Sequence, residues 1–310
     1  MHMAYASVMP APRPAVSLVA VPSRRRRTIE LAQEIERRGF AGIWAPSIFG
    51  NMSLCEALAW NTSHIPFGTA IAPIYQRSVL DFAQSAAFLH EVSGGRFHLG
   101  IGIAHAPSYA RLGVTPGKPL SDTRNFVDRL HAEKDLGAMP PIILAALRTR
   151  MVALAGEIGQ GVVFANAARS HMAASLAALP PAKRTATDFF IGNMLPTCIS
   201  DDVAAAKAVL RRALTSYAFR PNYRNYWKEA GYVEEMADIE RAIEEGRNDD
   251  VPRCLTDRWL ADVTLFGPPA TVREGIDAWR AAGVATPIIV PSSAAGNQLK
   301  AFEEIFATFG

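Results

Sequence analysis

Short apolar runs alternate with longer stretches whose apolar positions recur at helical spacing along this chain. Ala15–Val21, Gly42–Ala45, Ile65–Ala72, Arg96–Ala104, Ile142–Leu147, Gly161–Ala165, Phe189–Cys198 and Pro287–Val290 read as strands. Thr28–Arg38, Leu54–Trp60, Val79–Val92, Asp122–Lys134, Arg150–Ile158, Met172–Leu179, Asp201–Thr215 and Ala270–Ala282 read as helices between them. Such alternation predicts βαβ units and a parallel sheet. The Arg96–Ala104 run is apolar enough to be buried on both faces, as parallel strands are. Gly39 stands where a helix C′ glycine is expected, and Ser200 or Asp201 is placed to cap the Asp201–Thr215 helix.

Eight strands separated by helices fit a closed (β/α)₈ barrel better than an open sheet. A doubly wound sheet would want a glycine-rich first turn, but Pro22-Ser23-Arg24 stands there. Gly100-x-Gly102 lies inside a strand and no helix follows it, so it is not a dinucleotide fingerprint. The whole chain, residues 1–310, reads as one barrel domain with a helical insertion over about 217–260. That insertion holds Tyr217, Tyr223, Tyr226, Trp227 and Tyr232. Aromatic side chains there serve either as the core of a small helical layer or as a cap over a pocket.

Composition adds exclusions. With 49% hydrophobic and 20% charged residues and a net charge of +3, the 310-residue chain is globular and not polybasic. The run Arg24–Arg27 precedes an amphipathic helix and reads as its exposed first turn, not as a nucleic-acid patch. The three cysteines, Cys55, Cys198 and Cys254, are widely spaced. They form no metal or redox motif, which fits a cytoplasmic protein. Met1–Ala15 lacks the apolar run of a signal peptide, and no segment is apolar for the length of a membrane span.

Barrels carry their chemistry at the C-terminal ends of the strands. There the chain offers Trp44-Ala-Pro-Ser-Ile-Phe49, Ala70-Ile-Ala-Pro-Ile-Tyr75, Ala104-His-Ala-Pro107, Ala146-Leu-Arg-Thr-Arg150 and Phe164-Ala-Asn166. This mouth has no carboxylate pair, no nucleophile elbow and no metal-ligand spacing, so it suits a flat, largely apolar ring that brings its own redox chemistry. His105 is placed either to act as a general acid/base or to hydrogen-bond a loop carbonyl. Arg148-Thr149-Arg150 opens a helix, where backbone N–H groups and guanidinium groups suit a phosphate, with Thr149 as the expected cap.

The stretches Gly68–Arg77, Val92–His105, Ala145–Val162 and Phe266–Val284, in that order and spacing, resemble the luciferase-like monooxygenase family. Ala145-Ala-Leu-Arg-Thr-Arg-Met151 and Leu154-Ala-Gly-Glu157 resemble its F420-dependent, methylenetetrahydromethanopterin reductase-like branch. The resemblance implies an oxidoreductase that passes a hydride between deazaflavin F420 and a small organic substrate. The alternatives are an FMN-dependent monooxygenase and a non-catalytic barrel without a cofactor. It further implies a homodimer and a non-proline cis peptide at Ala70–Ile71 behind the cofactor ring. The cofactor-binding set it implies is Ala70, Ile71, Ala104, Ala146, Leu147, Arg148, Thr149 and Arg150. His105 would be the catalytic acid/base, and Trp44 and Ser47 would border the substrate. The chain departs from the family pattern at Ser47-Ile48, where relatives carry an acid or an Asp-His pair. It departs again at Arg148, where a glycine is usual, and at Ser78, which stands in place of a histidine.

Overall fold

The computed structural model describes residues 12–48 and 50–310. Its strands are β1 (Ala15–Ser17), β2 (Ile43–Ala45), β3 (Phe67–Thr69), β4 (Ala72–Pro73), β5 (Phe97–Gly102), β6 (Ile142–Ala145), β7 (Gly161–Ala165), β8 (Phe190–Ile199), β9 (Leu265–Gly267) and β10 (Thr286–Ser292). All pair in parallel, in the order β1-β2-β3-β5-β6-β7-β8. β10 then pairs with both β8 and β1, which closes the ring. The expected eight-stranded barrel is therefore the fold. Two short strands lie outside the count of eight. β4 resumes β3 after a break and pairs Ala72 with Ile101, and β9 pairs with the end of β8, beyond the reach of β7.

The helices are α1 (Arg25–Arg37), α2 (Asn51–Asn61), α3 (Val79–Val92), α4 (Ala106–Leu112), α5 (Pro119–Ala132), α6 (Thr149–Ile158), α7 (Met172–Leu176), α8 (Pro181–Thr185), α9 (Val203–Ala218), α10 (Pro221–Glu229), α11 (Val233–Glu244), α12 (Val251–Cys254), α13 (Asp257–Val263), α14 (Pro269–Ala281) and α15 (Gln298–Phe309). Arg24–Arg27 are exposed at the start of α1, as expected. Asp202, and not Ser200 or Asp201, caps α9, because its carboxylate reaches the Ala205 N–H at 2.9 Å. α4 occupies what reads as a proline-rich loop: Pro107 sits in its first turn, where the missing N–H breaks no helical bond.

Successive strand residues face opposite sides, and the two sides fill differently. Ala15, Trp44, Ile143, Val163, Met194 and Ile288 pack inside the barrel. Val16, Ile43, Leu144, Val162 and Leu195 join the larger core between strands and helices. At the N-terminal end of the barrel two charged side chains tie the loops. Glu36 accepts the backbone N–H groups of Ser63, His64 and Ile65 at 2.8, 2.8 and 2.9 Å. Arg96 donates to the carbonyls of Ala59, Thr62, Ile65 and Ser93.

The insertion between β8 and β9 is mainly core. Tyr226, Trp227 and Trp259 are fully buried, with Trp227 edge-on to Trp259 at 4.7 Å. Trp227 Nε1 donates to the Asn166 carbonyl at 3.0 Å, and the Tyr226 hydroxyl accepts the Ala168 N–H at 3.1 Å, which fixes the insertion to the loop after β7. Among the described residues no helix is long and apolar enough to cross a membrane, and no His, Cys, Asp or Glu cluster could hold a metal. All three cysteines are free.

Candidate functional site

The C-terminal ends of the strands open into a cavity of ≈ 770 Å³. That size lies in the range of roughly 300–1,000 Å³ usual for small-molecule sites. Its floor comes from residues that alternate inward, among them Ser17, Val163, Met194 and Val290. The upper wall is contributed by α9 and α10 through Leu214, Tyr217, Arg220 and Tyr223. Two of the aromatic residues of the insertion thus border the cavity while Tyr226 and Trp227 fill its core.

The break between β3 and β4 gives the cavity one side. The peptide between Ala70 and Ile71 is cis, at the position the family resemblance implied. Ala70 N–H donates to the Ala45 carbonyl at 2.8 Å, and the Asn51 side-chain amide donates to the Ile71 carbonyl at 3.1 Å, so both ends of the break are held. The facing strand must lack side chains to admit it. A Cβ on Gly100 would stand 1.8 Å from the Thr69 carbonyl oxygen, and one on Gly102 would stand 3.1 Å from the Ile71 side chain. This is the structural reason for the Gly100-x-Gly102 spacing.

The phosphate-type element is the start of α6. The first N–H groups of a helix lack intrahelical partners, and no side chain caps them here. The cap position belongs to Arg148, not Thr149, which is the first helical residue. Arg148 has φ −109° and ψ 154°, extended backbone that needs no glycine. Its guanidinium pairs with Glu229 of α10, with Nε 2.9 Å from the carboxylate. The cavity lining carries Arg148, Arg150 and Arg220 against Glu229 as its one carboxylate, an excess of positive charge at the mouth.

His105 enters from the end of β5. Its carbonyl accepts the Ser108 and Tyr109 N–H groups at 2.8 and 3.2 Å, which anchors the backbone, while no described residue hydrogen-bonds its ring. The imidazole lies 6.0 Å from the Tyr223 ring. Burial, and then the Arg220 charge, push His105 down to about 4, so the ring is neutral near pH 7. Burial also holds the Tyr223 phenol protonated, well above the usual range, with Tyr217 adding to the effect and Arg220 opposing it.

Ala70, Ile71, Ala104, Ala146, Leu147, Arg148, Thr149 and Arg150 all border this one cavity, together with His105 and Ser47. Trp44 does not. It is only 2% exposed, points into the barrel and packs against Phe190 at 4.5 Å and His98 at 5.9 Å, below the cavity floor. The strand β2 has three residues, and alternation places Trp44 inward one step before the mouth. Phe49, also at this mouth in the sequence, lies outside the described residues. Ser17 and Arg220 also border the cavity, and the sequence does not signal either. Ser17 is a lone hydroxyl in an apolar run, and nothing in a helical insertion signals which of its arginines reaches the barrel.

The family model described as luciferase-like monooxygenase matches residues 6–133 and 129–286. The chain is 26% identical to a Mycobacterium tuberculosis protein named "Putative coenzyme F420-dependent oxidoreductase Rv3520c", over 86% of this chain and 90% of that one. In fold it is similar to the coenzyme F420-dependent tetrahydromethanopterin reductase of Methanopyrus kandleri, with a TM-score of 0.74 and 18% identity, covering 94% of this chain and 97% of the other. It is also similar to an F420-dependent secondary alcohol dehydrogenase in complex with an F420–acetone adduct, with a TM-score of 0.72 and 15% identity, covering 96% and 98%.

Proposed function

This chain belongs to the luciferase-like monooxygenase family, and on that premise we propose that it is an F420-dependent oxidoreductase acting on a small organic substrate. The observation that carries the reading is the single cavity that gathers the Ala70–Ile71 break, the uncapped start of α6 and His105. The residues fit the cofactor. A flat deazaflavin ring suits the apolar side formed by Ala70, Ile71, Ala104 and Ala146. An anionic tail suits the N–H groups that open α6 and the Arg148 and Arg150 side chains beside them. F420, when bound, supplies the site's hydride-transfer chemistry.

The chain's own groups bind, orient and move the proton. The apolar walls exclude water and hold the substrate against one face. His105, neutral and without a ring partner among the described residues, is the group that takes the hydroxyl proton of an alcohol as its carbon loses a hydride. In the opposite direction the same nitrogen returns that proton. The proposed protein is a cytoplasmic homodimer. Trp60, Leu80 and Phe88, exposed on the neighbouring helices α2 and α3, are the apolar surface that such a dimer would cover.

The test is a spectroscopic assay of F420 reduction and F420H₂ oxidation against a panel of secondary alcohols and carbonyl compounds. Wild type turns over at least one of them. His105→Ala loses about 10²–10⁴-fold in turnover with F420 binding retained. Unchanged turnover in the variant would remove His105 from the mechanism. Oxygen-dependent turnover with FMN alone would replace the deazaflavin reading with that of a monooxygenase.

A further inference from the structure

Of the three cavity arginines, Arg148 and Arg150 belong to the start of α6, and Arg148 is matched to Glu229, the one carboxylate of the lining. Arg220 stands apart from them. It occupies the position before α10, borders the cavity, and has no carboxylate partner among the described residues. Its guanidinium lies 4.7 Å from the Tyr217 ring centroid. Tyr217 meets Tyr223 edge-on at 5.0 Å, and Tyr223 lies 6.0 Å from His105. Arg220, Tyr217, Tyr223 and His105 therefore form one continuous wall.

We propose that Arg220 binds a carboxylate on the substrate, so that the substrates are secondary alcohols or carbonyl compounds carrying a carboxylate near the reacting carbon. This rests on the redox reading of the same cavity. A guanidinium placed over an aromatic ring leaves its N–H donors free of that contact, and their fork pairs with both oxygens of a carboxylate. A phosphate dianion would need a second cation on this wall, and the remaining arginines serve α6. A bound carboxylate also cancels one of the two influences that keep His105 neutral. Substrate binding thereby makes the imidazole a better proton acceptor where and when one is needed.

The probes are benzoylformate and acetophenone, which share a phenyl ketone and differ in the carboxylate. Their affinities are measured by calorimetry on the full chain, with and without saturating F420. Wild type binds benzoylformate about tenfold or more tightly than acetophenone, the advantage expected of a charge-assisted hydrogen bond. Arg220→Gln abolishes the preference, Arg220→Lys keeps part of it, and both bind F420 as wild type does. Equal affinity for the two probes, binding of neither, or an undiminished preference in Arg220→Gln would overturn the proposal. So would a drop in F420 affinity in that variant, which would assign Arg220 to the cofactor. Discrimination that depends on Arg220 in a protein that binds no F420 would uphold the anion site and refute the redox reading.

Discussion

Gly100→Ala tests how the cavity is made. A methyl group at Gly100 would stand 1.8 Å from the Thr69 carbonyl oxygen, and the obstacle is backbone, not a rotatable side chain. The same pair is tied by the buried Thr69 hydroxyl, which donates to the Gly100 carbonyl at 2.6 Å. Relief requires β3 and β5 to part just before Ala70 and Ile103, which line the cavity. Overpacking of this kind costs about 3 kcal/mol at the upper end of its usual range, and loss of the buried hydrogen bond adds about 1 kcal/mol. For a protein of 310 residues each kcal/mol lowers Tm by roughly 1.5 °C, so Gly100→Ala melts roughly 6 °C below wild type. Gly102→Ala serves as the control. Its methyl would meet the Ala145 Cβ at 2.8 Å and the Ile71 side chain at 3.1 Å, a milder overlap than the 1.8 Å at Gly100, though only Ile71 can turn aside. It loses less stability, while cofactor affinity falls because both neighbours line the cavity. Differential scanning fluorimetry reads the first effect and equilibrium dialysis the second. A Gly100→Ala protein melting within about 2 °C of wild type would refute this packing argument.

Glu229→Gln frees Arg148 from an exposed ion pair worth at most about 1 kcal/mol, so Tm barely moves. Affinity for anionic F420 rises several-fold at low salt, and raising ionic strength erases the gain; an effect that persists in high salt would contradict it. Two groups make the fold acid-sensitive in separate windows. The folded His105 is pushed down to about 4. The unfolded chain therefore binds its proton first, and stability falls as pH drops from about 6.5 towards that value. Glu36 behaves as an ordinary buried carboxylate would not. Burial raises its pKa, but three backbone N–H bonds outweigh that and leave it lowered. Its contribution is present above the unfolded value of about 4.3 and is lost as pH falls through the folded one. Denaturant titrations at stepped pH separate the two: His105→Ala flattens the upper window, Glu36→Gln the lower, and an unchanged profile in either variant contradicts its assignment.

Much of the barrel is legible in the sequence because parallel strands buried on both faces leave uninterrupted apolar runs, such as Phe97–Gly102 and Gly161–Ala165. The misreadings have local causes. Ala15–Val21 reads as one strand, but only Ala15–Ser17 pairs, since β2 and β10 meet β1 no further along. Ile65–Ala72 reads as continuous, because the interruption at Ala70–Ile71 leaves no mark in hydrophobicity. The family resemblance located it where periodicity did not. β9 is too short to show a period, and Pro291 hides that β10 runs on to Ser292 against β8. The stretches that border the cavity are legible as loops at strand ends, which is why their alanines and arginines read as one group. Trp44 fails because a three-residue strand does not reveal which side of the barrel a residue faces. Arg220 carries no signal in the sequence because its reach depends on how α9 and α10 fold back over the mouth.

The most direct test of the account is equilibrium dialysis of the purified protein against F420 and, separately, FMN. The protein should retain F420 at micromolar concentration and FMN much more weakly, with F420 binding reduced when the start of α6 is disturbed. Retention of neither, or tighter retention of FMN, would contradict it.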